Sequence, residues 1–131
     1  MRAITIIAVV AALLSVATLA EAREPSSREI SSVFTAIHKY IDKMTLKDPN
    51  KRYTLHDPIT KEQLGLSFAA YSSDHMTYTK GGWNSWVSFN DPKGRLVQVK
   101  FRVNNSGGKW NYSVVRPGVI THINGIDYSK N

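Results

Sequence analysis

The sequence predicts an α+β domain, with one N-terminal amphipathic helix packed on a curved antiparallel sheet of about five to seven short strands. Three observations carry this expectation. Residues 27–44 (SREISSVFTAIHKYIDKM) hold the one strong helical periodicity outside the apolar N-terminal stretch. The chain after residue 50 reads as alternating segments separated by Gly, Pro, Asn and Asp. Those separations are short, which favours antiparallel neighbours over crossover connections.

In the helix, Ile30, Val33, Phe34, Ile37, Tyr40, Ile41 and Met44 recur at i, i+3, i+4 and i+7. At about 100° per residue they fall within an arc of roughly 120°. Ser31, Ser32, Thr35, His38, Lys39, Asp42 and Lys43 take the other side. Ser26 and Glu29 have the S-x-x-E spacing of a capping box, and Pro25 and Ile30 stand where a hydrophobic staple forms. Lys47-Asp48-Pro49-Asn50 marks the end, because the residue before proline disfavours helix. A single broad apolar face needs a partner surface, and the strands that follow are the candidates.

Residues 1–22 read as a signal peptide. Arg2 supplies a short positive start, the stretch to Leu19 is largely apolar, and Ala20-Glu21-Ala22 is a small-x-small cleavage site. An uncleaved anchor is the alternative, but the run is alanine-rich and no positive stop follows it. Residues 23–131 are then a single α+β domain, exported to the periplasm or secreted. The chain has no cysteine, so packing rather than disulfides must hold it. A lipoprotein anchor, a cysteine nucleophile, a thiolate zinc site and an iron–sulfur cluster are excluded. The formal net charge of +7 suits anionic surfaces, but the basic residues are scattered rather than clustered.

Along the chain, 51–56 is a weak first strand and 57–62 a turn opened by Asp57-Pro58. Leu64, Leu66, Phe68 and Ala70 alternate toward one face of a strand ending at Tyr71. Residues 72–75 read as a connection and 76–80 as a further strand. Gly81-Gly82 reads as a hairpin turn. In 83–89, Trp83, Ser85, Val87 and Phe89 share one face and Trp86 the other. Asp91-Pro92-Lys93-Gly94 is a turn. In 95–103, Val97, Val99, Phe101 and Val103 face inward, and Gln98, Lys100 and Arg102 face water. Residues 104–109 form a loop, Trp110, Tyr112 and Val114 alternate in a strand, and 119–123 is the last long strand. Asn124-Gly125 is a type I′ turn into 126–128.

A helix wrapped by a curved antiparallel sheet resembles the cystatin-like and NTF2-like arrangements. Leu55-His56-Asp57-Pro58-Ile59-Thr60, the 91–94 turn and Ile120-Thr121-His122-Ile123-Asn124-Gly125 look like small uncharacterised exported bacterial domains. The resemblance implies a fold and no activity. Cystatin inhibitors carry Q-x-V-x-G, which Gln98-Val99-Lys100-Phe101-Arg102 does not match, so inhibition is not carried over.

Signals for chemistry are sparse. None of His38, His56, His75 and His122 has H-x-x-x-H or H-E-x-x-H spacing, and no metal or cofactor is assigned. His56, Asp57, His75 and His122 lie near predicted strand ends and are the acid–base candidates, with ordinary turn residues as the plain alternative. There is no G-x-S-x-G. Gly81-Gly82 and Gly107-Gly108 precede no helix that would hold a phosphate. Arg95, Lys100, Arg102 and Lys109 interleave with Trp83, Trp86, Trp110 and Tyr112, a pattern that stacks on ligands or simply fills a core beneath exposed cations.

Three readings compete. The first is a non-catalytic binding module taking a protein or small ligand in a helix–sheet pocket lined by Tyr40, Phe68, Trp83 and Phe101. The second is a small NTF2-like enzyme with an acid–base residue in that pocket. The third is a binder of an acidic polymer or membrane surface through Arg95, Lys100, Arg102 and Lys109. No feature specifies nucleic-acid recognition, and the sequence fits a monomer or a dimer.

Overall fold

A computed structural model describes residues 23–105, 107–108 and 110–128. The predicted leader, residues 1–22, lies outside the described residues, as does Lys109. Among the described residues no helix is long and apolar enough to cross a membrane.

Helix α1 spans Ser27–Thr45. Its start is the capping box: the Ser26 hydroxyl accepts from the Glu29 N–H at 3.1 Å, and the Glu29 carboxylate accepts from the Ser26 N–H at 3.0 Å. At its end the Leu46 N–H reaches the Asp42 carbonyl, and the Asp48 carboxylate then accepts from the N–H groups of Asn50 and Arg52. Those two bonds turn the chain toward the sheet. Val33, Ile37 and Ile41 are buried, flanked by Ile30, Phe34, Tyr40 and Met44, which are partly covered. Ala36 and Glu29 are also buried.

The strands are β1 (Tyr53–His56), β2 (Gln63–Thr79), β3 (Gly82–Asn90), β4 (Leu96–Asn105), β5 (Tyr112–Val114), β6 (Val119–Ile123) and β7 (Ile126–Asp127). The sheet runs β1-β2-β3-β4-β6-β7, with β5 pairing β4 beside β6. Every pair is antiparallel. Helix α1 touches β1, β4 and β5. At about 4.8 Å per strand, β1 and β5 would lie about 19 Å apart on a flat sheet, beyond a helix about 10–12 Å wide. The sheet therefore curls around α1.

Several expectations are corrected. The two strands read around 72–75 are one strand, β2, which runs through that segment. Tyr71 pairs Val87 and Met76 pairs Ser85, so residues 72–75 stand opposite Trp86 alone. The polar Ser-Ser-Asp-His run has turn composition, but β3 holds both flanks in place and the surplus residues bulge. A second shift, between Phe68 and Ala70, makes Ala69 surplus. The alternation therefore flips there, and Tyr71 takes the helix-facing side that regular alternation assigns to Ala70.

The hairpin turn is Lys80-Gly81, with φ of 50° and 79°, rather than Gly81-Gly82. Both φ values are positive, as a type I′ turn requires. Gly82 lies in β3, where a Cβ would sit 2.2 Å from the Asn104 side-chain oxygen. Trp110, expected in a strand, stands before β5 at φ 68°. Arg95, read as the first residue of its strand, precedes β4. Asn124-Gly125, at 50° and 80°, forms the expected turn.

The core is aromatic and β-branched. Phe89, Phe101, Val87, Val97, Val99 and Val103 are fully buried. Tyr53, 2% exposed, stands between helix and sheet, with ring centroids 5.9 Å from Tyr40, 5.8 Å from Phe89 and 5.9 Å from Phe101. Its hydroxyl accepts from the Gly118 N–H at 2.9 Å. A Cβ on Gly118 would lie 2.4 Å from a Val99 methyl and 2.9 Å from the Phe101 ring. Only glycine lets the chain pass this close before β6 begins.

Tyr53→Phe leaves the Gly118 N–H without its acceptor. Because Gly118 is half-buried, the expected loss is about 1 kcal/mol, the low end for an unsatisfied buried group. Gly118→Ala costs about 1–3 kcal/mol by overpacking. Urea unfolding followed by tryptophan fluorescence checks both, and equal midpoints for wild type and both variants would remove the anchoring role of this contact.

Candidate functional site

The four residues expected to line one interior pocket have different surroundings. Tyr40 and Phe101 approach to 6.0 Å, but within the cluster around Tyr53. Trp83, 1% exposed, packs edge-on against Tyr78 at 5.0 Å. Phe68 lies at the rim of the sheet, 42% exposed. Between α1 and the sheet, Val33, Ile37, Tyr53, Phe89 and Phe101 belong to one buried cluster.

An open groove of about 640 Å³ instead runs along the outer flank of α1, lined by Ile30, Phe34, Thr35, His38, Lys39 and Tyr71 among others. Two sequence features build it. Ile30, Phe34 and His38 are spaced i, i+4, i+8 and form one stripe at the border of the apolar face. The irregularity at Ala69 turns Tyr71 toward that stripe. Phe34 and Tyr71 stack at 4.4 Å with planes 14° apart. Phe68 lies 4.8 Å from Tyr71 and edge-on to His38 at 6.3 Å.

His38 Nδ1 is 3.0 Å from the Tyr71 hydroxyl, and its Nε2 is 3.4 Å from the Asp42 carboxylate. A neutral His38 whose Nε2–H faces Asp42 accepts the Tyr71 O–H at Nδ1. Burial, and then the Asp42 charge, push the Tyr71 phenol up to about 12. Tyr71 is therefore neutral at pH 7. The groove presents aromatic faces, one imidazole and the Lys39 ammonium, and no activated nucleophile. Reading the helix as a two-sided cylinder hid this border stripe. Its signal was Phe34 with His38 one turn on, but the partner Tyr71 depended on a bulge.

The acid–base candidates have separate surroundings. His56 is exposed at the end of β1, opposite Gln63. His75 lies 2.8 Å from the Ser72 hydroxyl. His122 is 2.9 Å from the Thr121 hydroxyl and 4.0 Å from the Asp127 carboxylate. Asp57 is 2% exposed, and its Oδ1 accepts from the N–H groups of Ile59 and Thr60 at 2.8 and 3.1 Å. Among the described residues no group of three or more His, Asp or Glu side chains is placed to hold a metal ion.

Asp91 repeats the Asp57 arrangement. Its Oδ1 accepts from the N–H groups of Lys93 and Arg95 at 3.0 and 2.8 Å, and its Oδ2 from Arg95 Nε at 2.6 Å. Burial acts to raise both carboxyls. In Asp57 the Ile59 and Thr60 bonds outweigh it, followed by the Arg95 charge. In Asp91 the Arg95 backbone bond, its side-chain bond and its charge outweigh it, with the Lys93 bond in support. Both stay below the ordinary carboxylate value.

Of the basic candidates, Arg95 is thus held by Asp91. Arg102 donates to the Thr79 hydroxyl at 2.9 Å and to the Thr79 and Lys80 carbonyls, clasping the β2–β3 turn. Lys100 is half-buried opposite Trp86 on the outer sheet face. The sheet therefore uses two of the three described cations in its own turns.

No family model, curated protein or solved structure matches the chain.

Asp57 and Asp91 have folded values below their unfolded ones, so they contribute stability above the unfolded carboxylate pKa, about 3.9. That contribution is lost as pH falls through the folded values. Chemical denaturation across pH 2–7 should show stability level above about pH 5 and falling steeply below about pH 4. Asp91→Asn should lower the neutral plateau by about 2 kcal/mol, the scale of hydrogen bonds to a charged group, and flatten the acid limb.

Proposed function

We propose that this protein is an exported, non-catalytic binding module. Its contact surface is the α1–β2 groove, and its partner is a protein that presents an aromatic or aliphatic side chain. The observation that carries the reading is the exposed ring set: Phe68 is 42% exposed beside the stacked Phe34–Tyr71 pair. Aromatic anchors at a solvent-facing groove are the residue types that dominate protein–protein contacts. The enzyme reading draws no support from the acidified aspartates, because Asp57 and Asp91 direct their oxygens at backbone turns.

We further propose that the arrangement is cystatin-like or NTF2-like. One helix against an antiparallel sheet that curls around it supports this, and the leader read in residues 1–22 supports export to the periplasm or beyond.

Peptides selected from a random displayed library on the immobilised protein should carry a bulky apolar anchor. Their binding should shift backbone amide signals of Ile30, Phe34, His38 and Tyr71. Phe68→Ala, at an exposed position, should weaken the selected peptides tenfold or more, equivalent to about 1.4 kcal/mol. Peptides that bind Phe68→Ala as tightly as wild type, or that shift residues elsewhere, would sink the proposal.

A further inference from the structure

A second cavity, of about 270 Å³, lies at the start of α1, remote in composition from the groove. Arg23, Glu29, Tyr78, Trp83 and Tyr112 are among its lining residues. Glu29 is 5% exposed, although a capping box asks only for a surface carboxylate. One of its oxygens takes the Ser26 N–H, and the other takes the guanidinium of Arg23. The guanidinium carbon stands 4.9 Å from the Tyr78 ring centroid and 5.5 Å from that of Trp83. Trp83 is held in place by the core, and Tyr78 packs edge-on against it.

We propose that Glu29, Tyr78 and Trp83 on the wall of this cavity form a guanidinium-binding site, held in cis by Arg23 and open to the arginine side chain of a ligand when Arg23 leaves. Three features point to this class. A buried carboxylate needs a cation to balance it. Two fixed aromatic rings within about 6 Å attract that cation through their faces. The planar fork of a guanidinium can lie against rings and donate to a carboxylate edge at once, which a compact ammonium cannot do. The occupant is also replaceable. Residues 23–26 belong to no helix or strand, and the Arg23 side chain is 47% exposed. A second arginine, Arg28, lies over Trp110 at 4.4 Å, and Trp110 lines the same cavity.

Arg23→Ala empties the site. Methylguanidinium, titrated in the low millimolar range at constant ionic strength, should then bind saturably and shift the Trp83 indole N–H signal. Arg23→Ala combined with Glu29→Gln should bind at least tenfold more weakly, and methylammonium should bind the single variant at least severalfold more weakly. Wild type should respond only at higher concentration, because Arg23 competes. A folded Arg23→Ala protein without a saturable shift would overturn the proposal. So would equal binding by the double variant, or equal binding of methylammonium. Should Arg23→Ala not fold, the Arg23 Nε–H signal of wild type decides. It should be ring-current shifted and move toward the free-arginine position as methylguanidinium is added, and an unshifted signal would refute the assignment.

Discussion

Tyr53 is the contact on which the rest of this domain depends. It comes from a four-residue strand, yet its ring touches Tyr40 of the helix and Phe89 and Phe101 of two central strands. Its hydroxyl holds the chain at Gly118, just before β6. A cysteine-free domain of this size must supply its stability through such packing. The same ring links the helix to two central strands within one buried cluster. Burial raises the Tyr53 phenol well above its ordinary range, so it is neutral at pH 7.

Charge is used in much the same way, for holding turns rather than for decorating a surface. Asp57 and Asp91 each precede a proline and each turn their carboxylate back on the following N–H groups. Arg95 is shared between them, bonded to Asp91 and close enough to Asp57 to lower its titration. Arg102 clasps the neighbouring hairpin. The net charge of +7 already counts the paired carboxylates, and Arg102 keeps its charge while it bonds to neutral oxygens of the turn. Arg23 extends the pattern to the chain's first described residue.

The two irregularities in β2 connect fold to surface chemistry. A sheet that curls around one helix must bend its strands, and bulges increase local bend and twist. The shift at Ala69 also reverses which side chains face the helix. Tyr71 consequently meets Phe34 and His38, and Phe68 is left at the rim. The groove is thus a by-product of the curvature that closes the core.

What the sequence by itself determined are features whose causes lie within a few residues of one another. The Ser26–Glu29 capping box, the buried stripe of Val33, Ile37 and Ile41, the alternation of β4 and the Asn124-Gly125 turn are of this kind. Dihedral preference and periodicity act over that range, so they can be read directly. Tertiary structure alone decided the bulges of β2, the passage of Gly82 and Gly118 against neighbouring strands, the central place of Tyr53 and the seating of Arg23 on Tyr78 and Trp83. Each of these is a contact between residues far apart in the chain. It depends on which strand lies alongside and in what register, and register emerges only when all the strands pack together.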